Sequence, residues 1–437
     1  MAADRMLGLC RMGSHVVVTG LGVASAAGCD VPSFWERICT GASPVRPTRP
    51  ILDETAPSPY EAAVPSPYEA AVDDGRLASV ARELGVRSND RVVRLASVAC
   101  RQAWCDAGFS LPAEPQLGVR AGVILGSGLG GIQFQEEQMW RVLRARENRI
   151  HPHTVPRVSS TAMVTEVAQA LALRGPGFVI SSACASSAHA VGQALRTIQC
   201  GDADVMVAGG AEAPLTHFSM TAFSLLGVLA KLPGNPAAAC KPFDERRDGF
   251  VLGEGAGALV LESLDHATAR GARIYARLCG YGQSLGAYHA VHARPDGQDA
   301  AAAMRGALRD AGMGPADIGY VNAHGTATRE NDLAEARAMQ LVFGEDARRV
   351  AISSVKPITG HTLGAAGVLE ALATVKALDA GLLPPNANLS SLDPACSLHV
   401  LTEATPFPPT GGARAALSNS FGFGNVNVSL LFARRDS

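Results

Sequence analysis

Short apolar runs that end in a glycine-rich or polar turn and lead into residues at helical spacing recur along the chain. This rhythm constrains the fold more than any single motif does. Val16-Val-Val-Thr-Gly20, Ala121-Gly-Val-Ile-Leu125, Phe178-Val-Ile180, Val205-Met-Val-Ala-Gly-Gly210 and Gly257-Ala-Leu-Val-Leu261 read as buried strands. A helix over 264–270 then leads into a second series, with strands at 274–278, 318–322 and 350–354 alternating with helices at 300–311, 332–342 and 368–380. Two successive β/α series predict an α/β protein of two similar halves, 15–265 and 266–437, behind a flexible N-terminal lead over 1–14. No residue-level repeat accompanies the rhythm. Translation starting at Met12 instead of Met1 is an open alternative.

The 437 residues are 47% hydrophobic, enough for two packed units or one large duplicated one. A formal net charge of −2 gives no reason to expect nucleic acid or a membrane surface as partner. No apolar run is long enough to span a bilayer, and the N-terminal apolar stretch is too short for a signal peptide. The 10 cysteines form no Cys-x-x-Cys pair and no Cys/His metal spacing, which points to a reduced, cytoplasmic protein without a structural metal.

Cys184 stands where the apolar run 178–180 meets a helix, since Cys184, Ala188, Val191, Leu195 and Ile198 recur at helical spacing. A helix N-terminus with Ser181 and Ser182 as caps would pull a thiol toward the thiolate, the form a nucleophile needs. Small cysteines more often fill cores. His324 and His361 shift that balance, because both fall just past the C-terminal ends of strands, where open α/β sheets place their chemistry. Lys356 lies in the same turn as His361.

Other features carry less. Gly126-Ser-Gly-Leu-Gly-Gly131 matches G-x-G-x-x-G, but no second strand ending in an acidic residue follows at the spacing a dinucleotide site requires. The segment Pro57-Ser-Pro-Tyr-Glu-Ala-Ala-Val64 is repeated at once as Pro65–Val72, which reads as a duplication in a surface loop. A helix over 91–107 is expected to expose Arg91 and Arg94. With Arg146 and Arg149 these form a candidate docking face for an acidic protein.

Four segments together are specific. Ser182-Ala-Cys184-Ala-Ser-Ser, Asn322-Ala-His324-Gly-Thr-Ala-Thr328, Lys356-Pro-Ile-Thr-Gly-His361 and Ser418-Asn-Ser-Phe421-Gly-Phe423-Gly424 resemble, in order, the motif set of β-ketoacyl-acyl carrier protein synthases, the synthase II type and its polyketide ketosynthase relatives. The resemblance implies a thiolase-like fold with layered α/β/α/β/α architecture. It also implies a condensing enzyme whose substrates ride on the phosphopantetheine of acyl carrier protein, with no bound cofactor.

Carried over residue by residue, the resemblance makes Cys184 the acyl-carrying nucleophile and His324 and His361 the donors to a malonyl thioester oxygen. Lys356 becomes an organiser of His361, paired with Glu335. Thr326 and Thr328 bind the pantetheine arm, Leu129 lines the acyl pocket, and Phe421, beside Phe423, is a gate. Backbone N–H groups of Cys184 and Phe421 form the oxyanion hole. The partner is a second ketosynthase-type chain, either a homodimer copy or a chain-length-factor-like homologue.

Where the family commonly has Phe-Gly-Phe-Gly-Gly-Thr-Asn, this chain has Asn425 and Val426 after Gly424, so an altered gate loop is expected. The competing readings are a catalytically silent partner subunit, which characteristically lacks the cysteine, and a non-decarboxylating thiolase.

Overall fold

In the computed structural model, residues 15–49, 66–143, 150–232, 234–407 and 413–435 are described. Ten strands form one mixed sheet. In chain order they are β1 (Val16–Ser25), β2 (Ala121–Gly126), β3 (Gly177–Ile180), β4 (Val205–Glu212), β5 (Gly255–Ser263), β6 (Ala276–Leu285), β7 (Ile318–Asn322), β8 (Ala351–Ser353), β9 (Ala415–Gly422) and β10 (Val426–Ala433). Their spatial order is β8-β7-β9-β10-β6-β1-β5-β4-β2-β3.

The order contains the duplication that the rhythm predicts. Read outward from the centre, the first five strands run β1-β5-β4-β2-β3 and the second five run β6-β10-β9-β7-β8, the same arrangement with each number raised by five. Directions match as well: β2 is parallel to β3 and β4, as β7 is to β8 and β9, while the remaining neighbours within each half are antiparallel. The halves join where Val16, Val17 and Val18 of β1 pair with Leu278, Arg277 and Ala276 of β6.

Helices fill corresponding places. α1 (Arg91–Asp106), α2 (Thr161–Leu171) and α3 (Ser186–Gln199) belong to the first half; α4 (Gln298–Ala311), α5 (Arg329–Phe343) and α6 (Ala366–Ala380) belong to the second. Three buried clusters show the layering. The central one joins α3 and α6 to one face of both half-sheets, and the flanking ones lie under α1/α2 and α4/α5. Strand alternation feeds both faces: Leu259 and Leu261 of β5 enter the central cluster, while Ala258 and Val260 enter the outer one. The result is an α/β/α/β/α stack. Its central helices, α3 and α6, are each reached from a strand at the far edge of its half, α3 from β3 and α6 from β8.

Two expectations fail here. The run 178–180 is no interior strand: β3 is the sheet edge, paired on one side only, and Phe178 is 43% exposed. The second copy of the duplication is no surface loop either. Its Tyr68–Ala70 segment is buried and pairs with Arg46–Pro47 on one side and Leu252–Gly253 on the other. Alternation of Tyr, Glu and Ala suits a strand once a groove exists to receive it. The first copy lies outside the described residues.

Candidate active site

The nucleophile candidate sits on a strained elbow. Between β3 and α3 the chain turns through Ala183, whose φ of +51° is unusual for a residue with a Cβ, and delivers Cys184 at 5% exposure. Gly126 and Gly422 make room: a Cβ at Gly126 would lie 2.3 Å from backbone atoms of Ser186 and Ser187, and one at Gly422 would lie 3.2 Å from the Cys184 nitrogen. Ser181 and Ser182 do not cap the helix, whose N-cap is Ala185 without a side-chain bond. Ser186 staples the elbow instead, accepting from Ser182 N at 2.9 Å and donating to Ala183 O at 2.6 Å.

Nor is the sulfur a resting thiolate. Burial pushes the Cys184 thiol up to about 12, against the opposing pull of Lys356. The loss of hydration outweighs the pull of Lys356 and of the Phe423 N–H. The backbone group that reaches the sulfur belongs to Phe423, not Phe421, which pairs with Asn427 in the β9–β10 ladder.

Across from the sulfur stand the two imidazoles. His361 follows the helical turn Lys356–Thr359, and its backbone is held on both sides: His361 N donates to Val251 O at 2.8 Å and Gly253 N donates to His361 O at 3.0 Å. Its Nε2 lies 3.2 Å from Cys184 Sγ, and the Phe250 ring meets it edge-on at 4.7 Å between centroids. His324, past β7, is placed by Glu335, which accepts from His324 N at 2.9 Å and Gly325 N at 2.8 Å. The two imidazole rings are 5.4 Å apart and nearly perpendicular. Burial first, then the Lys356 charge, holds both well below the ordinary histidine range, so both are neutral at pH 7.

Lys356 is fully buried and does not pair with Glu335. Its ammonium binds Glu370 and the carbonyl oxygen of His324, and its Nζ is 3.2 Å from His324 Nδ1, so it organises His324 rather than His361. Glu370, in the second turn of α6, is the partner that sequence reasoning missed. The available signal was one carboxylate inside the apolar run Gly367-Val-Leu-Glu-Ala-Leu372. An ammonium only donates, so His324 Nδ1 accepts and the ring proton sits on Nε2. Cys184, His324 and His361 have ligand atoms within 4.8 Å of one another, a spacing compatible with a metal ion. The tautomer imposed by Lys356 nevertheless puts a proton on the His324 nitrogen left for coordination, which disfavours a metal there.

Cys184, His324 and His361 line a cavity of about 420 Å³, whose walls also include Thr326, Thr328, Phe421 and Phe423. The Thr326 and Thr328 hydroxyls are 2.8 Å apart, and the Phe421 ring is 5.9 Å from that of His324.

The remaining candidates fall elsewhere. Leu129 is not in the cavity wall; it is 38% exposed on a turn whose Gly128 and Leu129 N–H groups bind the buried Glu212, which also accepts from Gly364 N. Glu212, at the end of β4, thus ties that turn to the one after His361. Arg91 is no exposed cation, for it is ion-paired with buried Glu254 and with Asp74. Arg94 is half-buried and donates to Ser88 O and Asn89. Arg146 and Arg149 lie outside the described residues.

Residues 13–267 match the Beta-ketoacyl synthase, N-terminal domain, and residues 275–390 match the Beta-ketoacyl synthase, C-terminal domain. The chain is 37% identical over 421 residues to a 3-oxoacyl-[acyl-carrier-protein] synthase 2 of Coxiella burnetii, covering 96% of this chain and 98% of that one. The same figures hold for its counterpart in Staphylococcus aureus strain COL.

Among solved structures, a chain from a type II PKS acyl-carrier protein in complex with its ketosynthase superposes with a TM-score of 0.86 at 31% identity, over 96% of this chain and 99% of that one. A chain of the ishigamide ketosynthase/chain length factor gives 0.85 at 31%, also over 96% and 99%. A beta-ketoacyl synthase from Burkholderia phymatum STM815 gives 0.83 at 32%, over 97% and 100%. Matches to both domains, together with relatives aligned over nearly their whole length, show that this chain belongs to the beta-ketoacyl synthase family.

Proposed function

We propose that this chain catalyses a decarboxylative Claisen condensation. It joins an acyl group held on Cys184 to malonyl-acyl carrier protein and so extends a fatty-acid or polyketide/polyene chain by two carbons. The observation that carries the reading is the 3.2 Å approach of His361 Nε2 to Cys184 Sγ beside a second neutral imidazole whose tautomer Lys356 fixes.

In the first half-reaction Cys184 attacks the acyl thioester. Because burial disfavours a standing thiolate, the thiol proton passes to His361 as the C–S bond forms and then to the departing carrier thiol. His361 Nδ1 has no hydrogen-bond partner among the described residues, so neither tautomer is fixed. The ring is free to accept the thiol proton in this step and to present Nε2–H in the next.

In the second half-reaction malonyl carrier binds, and the C–CO₂ bond breaks with its electrons moving into an enolate. His324 and His361 donate N–H bonds to the enolate oxygen; one such donor typically contributes about 3–4 kcal/mol. The enolate carbon attacks the acyl-Cys184 carbonyl. The resulting oxyanion faces the N–H groups of Cys184 and Phe423, and its collapse expels the Cys184 thiolate, which takes up one proton from solvent to restore the thiol.

The first half of the chain, 15–265, supplies the nucleophile; the second, 266–437, supplies His324, Lys356 and His361. Thr326 and Thr328 contact the pantetheine arm and Phe421 gates its path. No bound cofactor is involved. The partners are an acyl carrier protein and a second ketosynthase-type subunit, for which the one-sided edge of β3 with exposed Phe178 is a docking strand. The solved relatives include a ketosynthase with its acyl carrier protein and another with its chain length factor. No helix among the described residues is long and apolar enough to cross a membrane. A reducing, cytoplasmic setting suits the exposed thiol of Cys105. The silent-subunit reading is opposed by the intact Cys184, His324, His361 and Lys356.

Intact-mass measurement after incubation with an acyl carrier thioester tests the assignment. Wild type should gain one acyl group and Cys184→Ala none; an undiminished acyl adduct on Cys184→Ala would overturn it.

A further inference from the structure

The turn between β9 and β10 runs through Phe423, Gly424 and Asn425. The last two have φ of +81° and +57°, a left-handed pair that asparagine tolerates better than most residues with a Cβ. Asn425 is only 6% exposed, and its amide reaches out of the turn to another segment. Its Nδ2 donates to His289 O at 2.9 Å and to His292 O at 3.1 Å, while its Oδ1 accepts from Arg294 N at 3.1 Å. Both amide protons and the carbonyl oxygen are therefore used on one stretch of backbone.

The neighbouring main chain repeats the connection. Gly286 N donates to Asn425 O at 3.0 Å, and Gly424 N donates to Ala290 O at 2.8 Å. Gly286 has no space for a side chain: a Cβ there would lie 2.7 Å from the Asn425 Cβ and 2.2 Å from Asp299 Oδ2. The contacted segment, 286–294, links β6 to α4, and its Val291, His292 and Ala293 form part of the wall of the same cavity that Cys184 lines. Within the segment, the His289 ring accepts from Val291 N and His292 N, so its own bonds shape a local turn. The Asn425 amide joins that turn to the strand carrying Phe421.

We propose that Asn425 is a positioning residue that latches segment 286–294 to the Phe421–Phe423 turn, so that this wall of the cavity and the gating phenylalanines move as one body when a pantetheine-borne substrate enters. The latch rests on the reading of this cavity as the path of the pantetheine arm, but its mechanical part does not depend on turnover. Three neutral hydrogen bonds that would all break together make independent opening of 286–294 rare while the amide is present.

Hydrogen–deuterium exchange of the full-length chain, resolved by peptide, is the test. Asn425→Gly keeps the left-handed backbone available and removes the amide, and it should speed exchange over 286–294 by on the order of tenfold or more with little change in α3 or α6. Asn425→Asp keeps the side-chain shape but sets a carboxylate oxygen against the carbonyls of His289 and His292, and it should loosen the segment at least as much. In steady-state condensation, both variants should raise KM for malonyl carrier by a larger factor than they lower kcat. Exchange over 286–294 that matches wild type in both variants would overturn the latch. Faster exchange with no preferential change in KM would overturn its role in substrate access and leave the condensation chemistry untouched.

Discussion

Lys356 Nζ lies 3.2 Å from His324 Nδ1 and shares its remaining bonds between the His324 carbonyl oxygen and Glu370. One buried cation therefore sets the tautomer of one imidazole. Lys356→Met removes that constraint and leaves His324 free to carry its proton on the wrong nitrogen. Malonyl decarboxylation should fall by on the order of a hundredfold, the scale of losing one oxyanion donor. Acyl transfer to Cys184, which uses His361, should fall much less. Parallel measurement of CO₂ release and acyl-enzyme mass separates the two; equal losses would contradict a role confined to His324.

The same cation makes Glu370 structurally expensive to alter. Glu370→Gln strands a fully buried ammonium without its counter-charge, a change that typically costs about 3–5 kcal/mol. The denaturant midpoint should drop accordingly. Glu370→Gln combined with Lys356→Met should recover part of the loss, because no unpaired charge remains.

Cys184 should behave as a buried thiol when the enzyme is at rest. With its pKa pushed up to about 12 by burial, the thiolate fraction, and so the alkylation rate with iodoacetamide, should climb about tenfold per pH unit from 6 to 9. A plateau near neutrality would instead reveal a thiolate stabilised by the helix end.

Glu335 carries a pH dependence of stability. Burial raises its carboxyl from the ordinary carboxylate value to about 7, with the N–H groups of Gly325 and His324 pulling the other way. The folded form therefore holds a proton that the unfolded chain has already lost between about pH 4.5 and 7. Stability from this group is complete below the unfolded value and declines as pH rises through the folded one, by about 3 kcal/mol in total. Glu335→Gln should be less stable at every pH, since an amide cannot accept from both N–H groups, but the decline with pH attributable to Glu335 should vanish. Thermal midpoints from pH 4 to 8 compare the two slopes.

Much of the architecture was legible because it is written in short-range pattern. β7 at 318–322 and the helix of Val368 to Ala380 follow from runs and spacings that any neighbour in sequence can enforce, and His324 and His361 mark the ends of such runs. What pattern does not carry is which strand ends up outermost. Phe178-Val-Ile reads the same whether it lies at a sheet's centre or, as here, at its edge. The state of the Cys184 thiol is hidden for a related reason: the helix end is local in sequence, whereas the side chains that bury the sulfur, such as Phe250 and Leu363, come from far away in the chain. Glu370 was hidden inside an apolar helix, and the choice between it and Glu335 as partner of Lys356 depends on how α6 packs. Asn425 stood out as a departure from the family pattern, but its bonds to the segment around His292 exist only in three dimensions.

The tandem octapeptide offers a test of how little of a duplication a fold needs. In the second copy Tyr68 Oη donates to Leu232 O at 2.9 Å, Glu69 binds Arg46 and Arg49 at 3.1 and 3.0 Å, and Glu254 N donates to Ala70 O at 3.1 Å. Ala70 also fills the space beside Gly360, where an added Cβ would lie 2.5 Å from its own Cβ. The strand it belongs to pairs with Leu252–Gly253, whose Gly253 N–H holds the His361 carbonyl. One copy therefore makes every one of these contacts and backs the turn that presents His361. Deleting 57–64 gives the same sequence as deleting 65–72, and it roughly halves the connection from Arg49 to Ser66, which changes closure entropy by only about 0.6 kcal/mol. The shortened chain should keep its thermal midpoint and its condensation rate close to wild type. Adding Ala70→Leu to that chain should lower both, because the larger side chain can be housed only by displacing Gly360 and with it His361. A large loss on deletion alone would mean that the extra copy contributes to the fold, and retained activity in the Ala70→Leu chain would mean that this strand does not position His361.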